Sequence, residues 1–239
     1  LSWVLPPLLL IAAATTFSRV GVGQPVPAAS QPLWPSLRRV MADSAFRRLL
    51  GVFVANGIAS ALPATLFLFF VADVLQQEKA SGPLLALYFV AGAASLPLWV
   101  KLSARFGRVR AWLGAIVLSI VAFAGASQLG SDDLALFAVI CIASGLVLGA
   151  DLALPAAIAA DLGERQGQAG ACFGVWNLVA KLNLALAAGL ALPLLALLGY
   201  VPGSGEGLAS LTFAYALLPL GFKALAGILL WRWRRSLEI

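Results

Sequence analysis

The chain has 239 residues, of which 62% are hydrophobic and only 11% charged; soluble domains average about 45–50% apolar and about 25% charged. That gap excludes an ordinary soluble fold, intrinsic disorder and a nucleic-acid-binding arm, and leaves a membrane protein. The formal charge is +6 with no histidine, so neither a His-ligated metal site nor a His general base is available.

A helix needs about 20 apolar residues to cross a bilayer core. Seven apolar runs occur, at 3–17, 49–75, 83–102, 111–129, 134–160, 170–198 and 208–231. The first is short, and the chain begins on Leu1. This run reads as the end of a truncated transmembrane span (1–17) in a fragment or processed product. It is not a signal peptide, because it lacks a basic start and is followed by arginines. Residues 18–48 read as a soluble loop. Its first part, 21–35, is rich in Pro, Gly, Ala and Ser and reads as a linker. In its second part, Leu37, Val40, Met41 and Ala45 make an apolar stripe, and Asp43 and Arg47 are spaced to pair at i,i+4. That pattern fits a short helix on the membrane surface or a solvated linker equally well.

Six full spans then fill 49–231, with a tail at 232–239. Prolines 63, 97, 155, 193 and 219 fall within these runs, which membrane helices tolerate. Cys141 and Cys172 lie in apolar stretches and read as small buried hydrophobes. Gly145 with Gly149, and Ala185 with Gly189, offer small surfaces for close helix approach.

Lysine and arginine set the orientation. Thirteen of them fall in 18–48, 101–110, 161–169 and 232–239, against Lys79 alone in the alternate loops. The Arg-bearing segments are therefore expected to be cytoplasmic, including the C-terminus, in a multi-pass inner (plasma) membrane protein. Trp231 and Trp233 suit an interfacial anchor. The high pI of about 9.9 is topological and needs no nucleic acid.

Charged residues deep in a span are costly and point to function. Asp151 lies ten residues before Asp161, and Lys181 eleven after Gly170. Both are thus expected about 15 Å inside the membrane at the helical rise of 1.5 Å per residue. Adjacent antiparallel helices predict that they pair. Asn177 is one turn before Lys181 on the same face, and Trp176 is placed to stack on a bound solute. Asn56 is a second polar candidate, set against a purely helix-bonding role. Lys223, eight residues before Trp231, is expected to snorkel to the interface. No nucleophile–base set and no metal-ligand cluster is visible, so an enzyme is not expected.

The run Arg105-Phe106-Gly107-Arg108-Val109-Arg110 resembles the basic loop repeated in each half of major facilitator superfamily transporters, with Ala104 where an acidic residue often precedes. A long basic loop before six spans, the stretch ending Ala160-Asp161-Leu162-Gly163-Glu164, Lys181, and Leu198-Gly199-Tyr200-Val201-Pro202 are similar in order to the glycoside–pentoside–hexuronide:cation symporters, the melibiose permease-like family. The resemblance implies an all-α six-helix C-terminal half of a transporter. It implies a small solute such as a sugar or glycoside, a coupling cation (Na⁺ or H⁺), a lipid bilayer and an N-terminal six-helix half as partners, and alternating access. It places Lys181 near the sugar and cation sites. A lipid or other amphipathic solute, or a bundle that transports nothing, stands as the alternative.

Overall fold

The computed structural model describes residues 32–131 and 133–238, with six earlier positions: Pro7, Leu10, Ile11, Ala14, Thr15 and Ser18. The chain divides into two units, Leu1–Pro32 and Leu33–Ile239. In the first, the six described positions are helical and exposed. Thr15 donates its hydroxyl to the Ile11 carbonyl at 2.9 Å. The expectations for a truncated span at 3–17 and for the linker at 21–35 lie largely outside the described residues, except that the linker's last three residues, 33–35, are helical.

The second unit opens with α1, Leu33–Ala42. Six helices long and apolar enough to cross a membrane follow: α2 Ser44–Val74, α3 Glu78–Phe106, α4 Arg108–Ala126, α5 Leu134–Arg165, α6 Ala169–Leu197 and α7 Leu208–Leu237. Their positions match the six apolar runs, but most extend beyond them. α7 gains six residues past Trp231, because the basic tail continues the helix. The last turn of α2 and the second turn of α7 are π-helical, at Phe70–Val74 and Phe213–Leu217.

The hinge between α1 and α2 corrects one expectation. Asp43 and Arg47 do not pair. Asp43 caps α2, accepting from the Ala45 amide at 2.7 Å, and its second oxygen accepts from Gln166 in the α5–α6 turn. Arg47 instead donates to the Met41 and Ala42 carbonyls at 2.7 and 2.8 Å, closing the open C-terminus of α1. Val40 is buried, whereas Met41 is exposed.

Lipid tails are as apolar as leucine, so close contact between membrane helices rests on fit and on polar bonds. The α3–α5 seam shows both. Gly145 sits so close to the Tyr88 carbonyl that a methyl group there has no room. Ser95 Oγ and Trp99 Nε1 both donate to the Leu146 carbonyl, at 3.0 and 2.7 Å. The Ala185 and Gly189 pair does not serve this purpose: Ala185 is exposed and Gly189 faces open space. α2 packs on α6 and α7, while α4 packs on α5 and α7. α3 and α6 are the least covered helices of the bundle.

The two ends of the bundle differ in charge. At one end, Arg108 pairs with Asp161 and donates to the Ala157 carbonyl at 3.1 Å. Arg110 reaches Glu238 at 3.2 Å. Gly107, at φ +87°, makes the turn between α3 and α4 that a side chain would strain. Arg234 lies over the Trp231 ring, 4.6 Å from its centroid, while Trp233 packs against Gly51. At the other end, Asp73 accepts from the Tyr200 hydroxyl and, at 3.0 Å, from the Gly203 amide. Burial first, then that bond to Asp73, holds the Tyr200 phenol above its ordinary range.

Candidate functional site

Four helices bring polar side chains together inside the bundle. Asn56 and Ser60, one turn apart, share a face of α2 near its middle. Asp151 is at the middle of α5, and Lys223 at the middle of α7. Lys223 Nζ donates to Asp151 Oδ2 at 2.7 Å and to Asn56 Oδ1 at 2.8 Å. Ser60 Oγ donates to the same Oδ2 at 3.3 Å. Trp112, from the first turns of α4, donates Nε1 to Asp151 Oδ1 at 3.0 Å. Both carboxylate oxygens are thereby satisfied, as a buried charge requires. The side chains of Lys223 and Asp151 are only 6% and 10% exposed.

The cluster forms one wall of a cavity of about 300 Å³. Asn56, Ser60, Asp151 and Lys223 all line it. Phe53, Phe67, Tyr88, Phe123 and Tyr215 supply much of the apolar remainder. Ala64 on α2, Phe89 on α3 and Leu152 on α5 line it while remaining exposed, so the cavity is open toward the face that these three helices share.

The pairing of Asp151 with Lys181 is overturned. Both residues lie near the middle of consecutive helices, but Asp151 pairs with Lys223 instead. α5 packs mainly on α3 and α4, and Asp151 turns toward α2, α4 and α7. Lys181 stays exposed at the middle of α6. Asn177 shares its face and donates to the Phe173 carbonyl of its own helix at 2.9 Å. Trp176 turns inward and stacks on Phe53, with ring centroids 3.7 Å apart. Since Phe53 lines the cavity, Trp176 supports that wall from behind. Asn56 does bond between helices, and its partner is a charged residue of the cavity.

Lys223 does not snorkel. Measured from Trp231 it looked shallow, but α7 runs on to Leu237, which places the lysine at mid-helix. Sequence reasoning missed Ser60 and Trp112. The Asn56–Ser60 spacing of one turn within an apolar run was the signal for the first. Nothing in the sequence marks the second, since Trp112 lies beside the basic loop and reads as an anchor. It also missed Asn183, buried on α6, whose amide donates to the Phe53 carbonyl at 3.3 Å.

The family profile described as MFS/sugar transport protein matches residues 4–235. The chain belongs to that family. Six apolar helices in an all-α bundle agree with this, and the melibiose permease-like resemblance is consistent with it. No curated protein matches the chain. Membership in the MFS/sugar transport family makes this a membrane transporter protein that handles a small-molecule solute in a lipid bilayer. The cavity and its ion pair are the features on which such a role bears.

Proposed function

We propose that this bundle is one half of a secondary active transporter that carries a sugar, glycoside or similar small solute with a cation, by alternating access. The observation that carries this reading is the Asp151–Lys223 pair at the middle of two apolar helices, in the wall of a cavity. Buried ion pairs are weak devices for stability alone, because apolar packing of like volume does as well. Charges at that depth mark solute and ion pathways. Aromatic faces beside polar groups suit a sugar, whose ring carbons stack while its hydroxyls bond.

A second bundle completes the transporter in this reading. Lys181 and Asn177 stand exposed among the exposed leucines 178, 182 and 186 of α6. A lysine at mid-helix is expensive against lipid. That face is therefore expected to meet a partner bundle or the water-filled path between the two. The Arg-bearing end is the cytoplasmic one, from the charge bias. The protein sits in the inner membrane and performs no covalent chemistry.

The test is uptake of labelled sugars by the complete transporter in proteoliposomes, with and without a Na⁺ or H⁺ gradient. Lys181→Ala is expected to weaken solute affinity about tenfold or more, the worth of a bond from a charged donor, while leaving the melting temperature unchanged. Uptake that ignores both gradients defeats cation coupling. A second reading, transport of an amphipathic solute, is favoured by the mainly apolar cavity wall. Competition by alkyl glycosides stronger than by the free sugars would select it.

A further inference from the structure

The geometry around Lys223 points to a monovalent-cation site whose present occupant is the protein's own ammonium group. We infer that Asp151, Asn56 and Ser60 form an oxygen-lined pocket for a small alkali cation, which Lys223 fills as a tethered substitute.

Lys223 Nζ lies between two oxygens of different chemistry, a carboxylate at 2.7 Å and an amide carbonyl at 2.8 Å. The Ser60 hydroxyl oxygen lies beside that carboxylate, 3.3 Å from Oδ2. Carboxylate, amide carbonyl and hydroxyl oxygens are hard donors of the kind alkali and alkaline-earth cations accept. One carboxylate balances one positive charge, so the site suits a monovalent ion and is underpowered for a divalent one. Among the described residues no three His, Cys, Asp or Glu side chains gather closely enough to hold a metal ion.

Three features separate this arrangement from a plain interhelical ion pair. The oxygens come from α2 and α5, while the cation is delivered from a third helix, α7. If the ammonium leaves, the Ser60–Asp151 bond still links α2 to α5. Trp112 holds the second carboxylate oxygen, so the carboxylate keeps its orientation without the lysine. Finally, all four side chains border the cavity, which gives an ion a route in and room for water to complete its shell. An ammonium on a flexible stem is a compact point charge, and its removal leaves a cation-sized gap between preset oxygens.

This deepens the reading above and rests on the cavity being part of an ion-coupled path. In that setting the bundle alternates between a lysine-filled site and an ion-filled one. The test reads ion binding without any uptake, so the two ideas fail separately. Lys223→Ala, purified as the full chain in detergent, is melted in sodium, potassium or lithium chloride against choline chloride at fixed ionic strength. Its melting temperature is expected to rise by an equal step for each tenfold rise in the favoured cation, as for any ligand that binds only the folded state. Wild type, whose ammonium competes for the same oxygens, is expected to respond only at much higher concentrations of that cation. Lys223→Ala/Asp151→Asn is expected to be indifferent. If Lys223→Ala aggregates in choline, recovery of folded protein in an alkali salt supports the site, and aggregation in every salt overturns it. A flat response of folded Lys223→Ala overturns it too. So does a cation response that survives in the double variant, because the ion then binds elsewhere.

Discussion

Replacing Lys223 by methionine tests whether the charge cluster is a coupled unit. Methionine keeps most of the stem volume, so packing costs little, and the change isolates the charge. Asp151 is left 10% exposed without its cation. Breaking a buried pair by removing one partner costs roughly 3–5 kcal/mol. Trp112 and Ser60 still donate to Asp151, and the cavity admits water, so the lower figure of about 3 kcal/mol applies. At about 2–4 °C per kcal/mol for a domain of this size, the melting temperature falls by about 6–12 °C. Asp151→Asn strands the ammonium on Asn56 alone and costs a similar amount. The double variant buries no charge, and its amide oxygen can still accept from Trp112, so it is expected to be more stable than either single variant. The assay is thermal unfolding of all four proteins in detergent and choline chloride, followed by circular dichroism, with the double-mutant cycle closed at one temperature. Single variants that each cost under about 1 kcal/mol, or costs that simply add, would refute the coupling.

Three further expectations follow from the geometry. Single cysteines at Ala104 and Ser131, in a background lacking Cys141 and Cys172, label from opposite sides of oriented vesicles; same-side labelling removes the topology. Gly145→Ala drives a methyl into the Tyr88 backbone and pushes α3 from α5, costing about 1–3 kcal/mol; an unchanged melting temperature would show that the seam is loose. Tyr200 has a raised phenol pKa, from an ordinary value of 10.0. Its protonated form is therefore favoured in the folded state. The stability it contributes is complete below about pH 10 and is lost as pH rises toward the folded value. Tyr200→Phe should be less stable near neutrality by about 1 kcal/mol, the ordinary worth of a hydrogen bond, yet lose less on alkaline titration; parallel alkaline curves for the two proteins would contradict the bond to Asp73.

The class of this protein and its six spans were legible in the residues because they depend on sums over many positions. Bilayer thickness requires about 20 apolar residues in a row, and composition alone reveals such runs. The ends were less legible. The basic residues at 232–237 that read as a tail continue α7 as helix, since a helix does not stop where its apolar run does. The mid-helix positions of Asp151 and Lys181 were also readable, because rise per residue is constant.

Rotation was not readable. Which way Asp151 points depends on how α5 turns about its axis and which helices flank it, and only the packed bundle decides that. Helices adjacent in sequence need not hold one another's polar groups, so Lys181 lost its expected partner while Lys223, 72 positions from Asp151 in sequence, took that place. The apolar spans carry almost no amphipathic pattern to fix their rotation, because nearly every face is hydrophobic. Rotation is set instead by small residues such as Gly145 that let α3 and α5 close, and by the single charges that must find each other across the interior. Those are tertiary constraints: each is satisfied by residues on other helices, at separations that no local window spans.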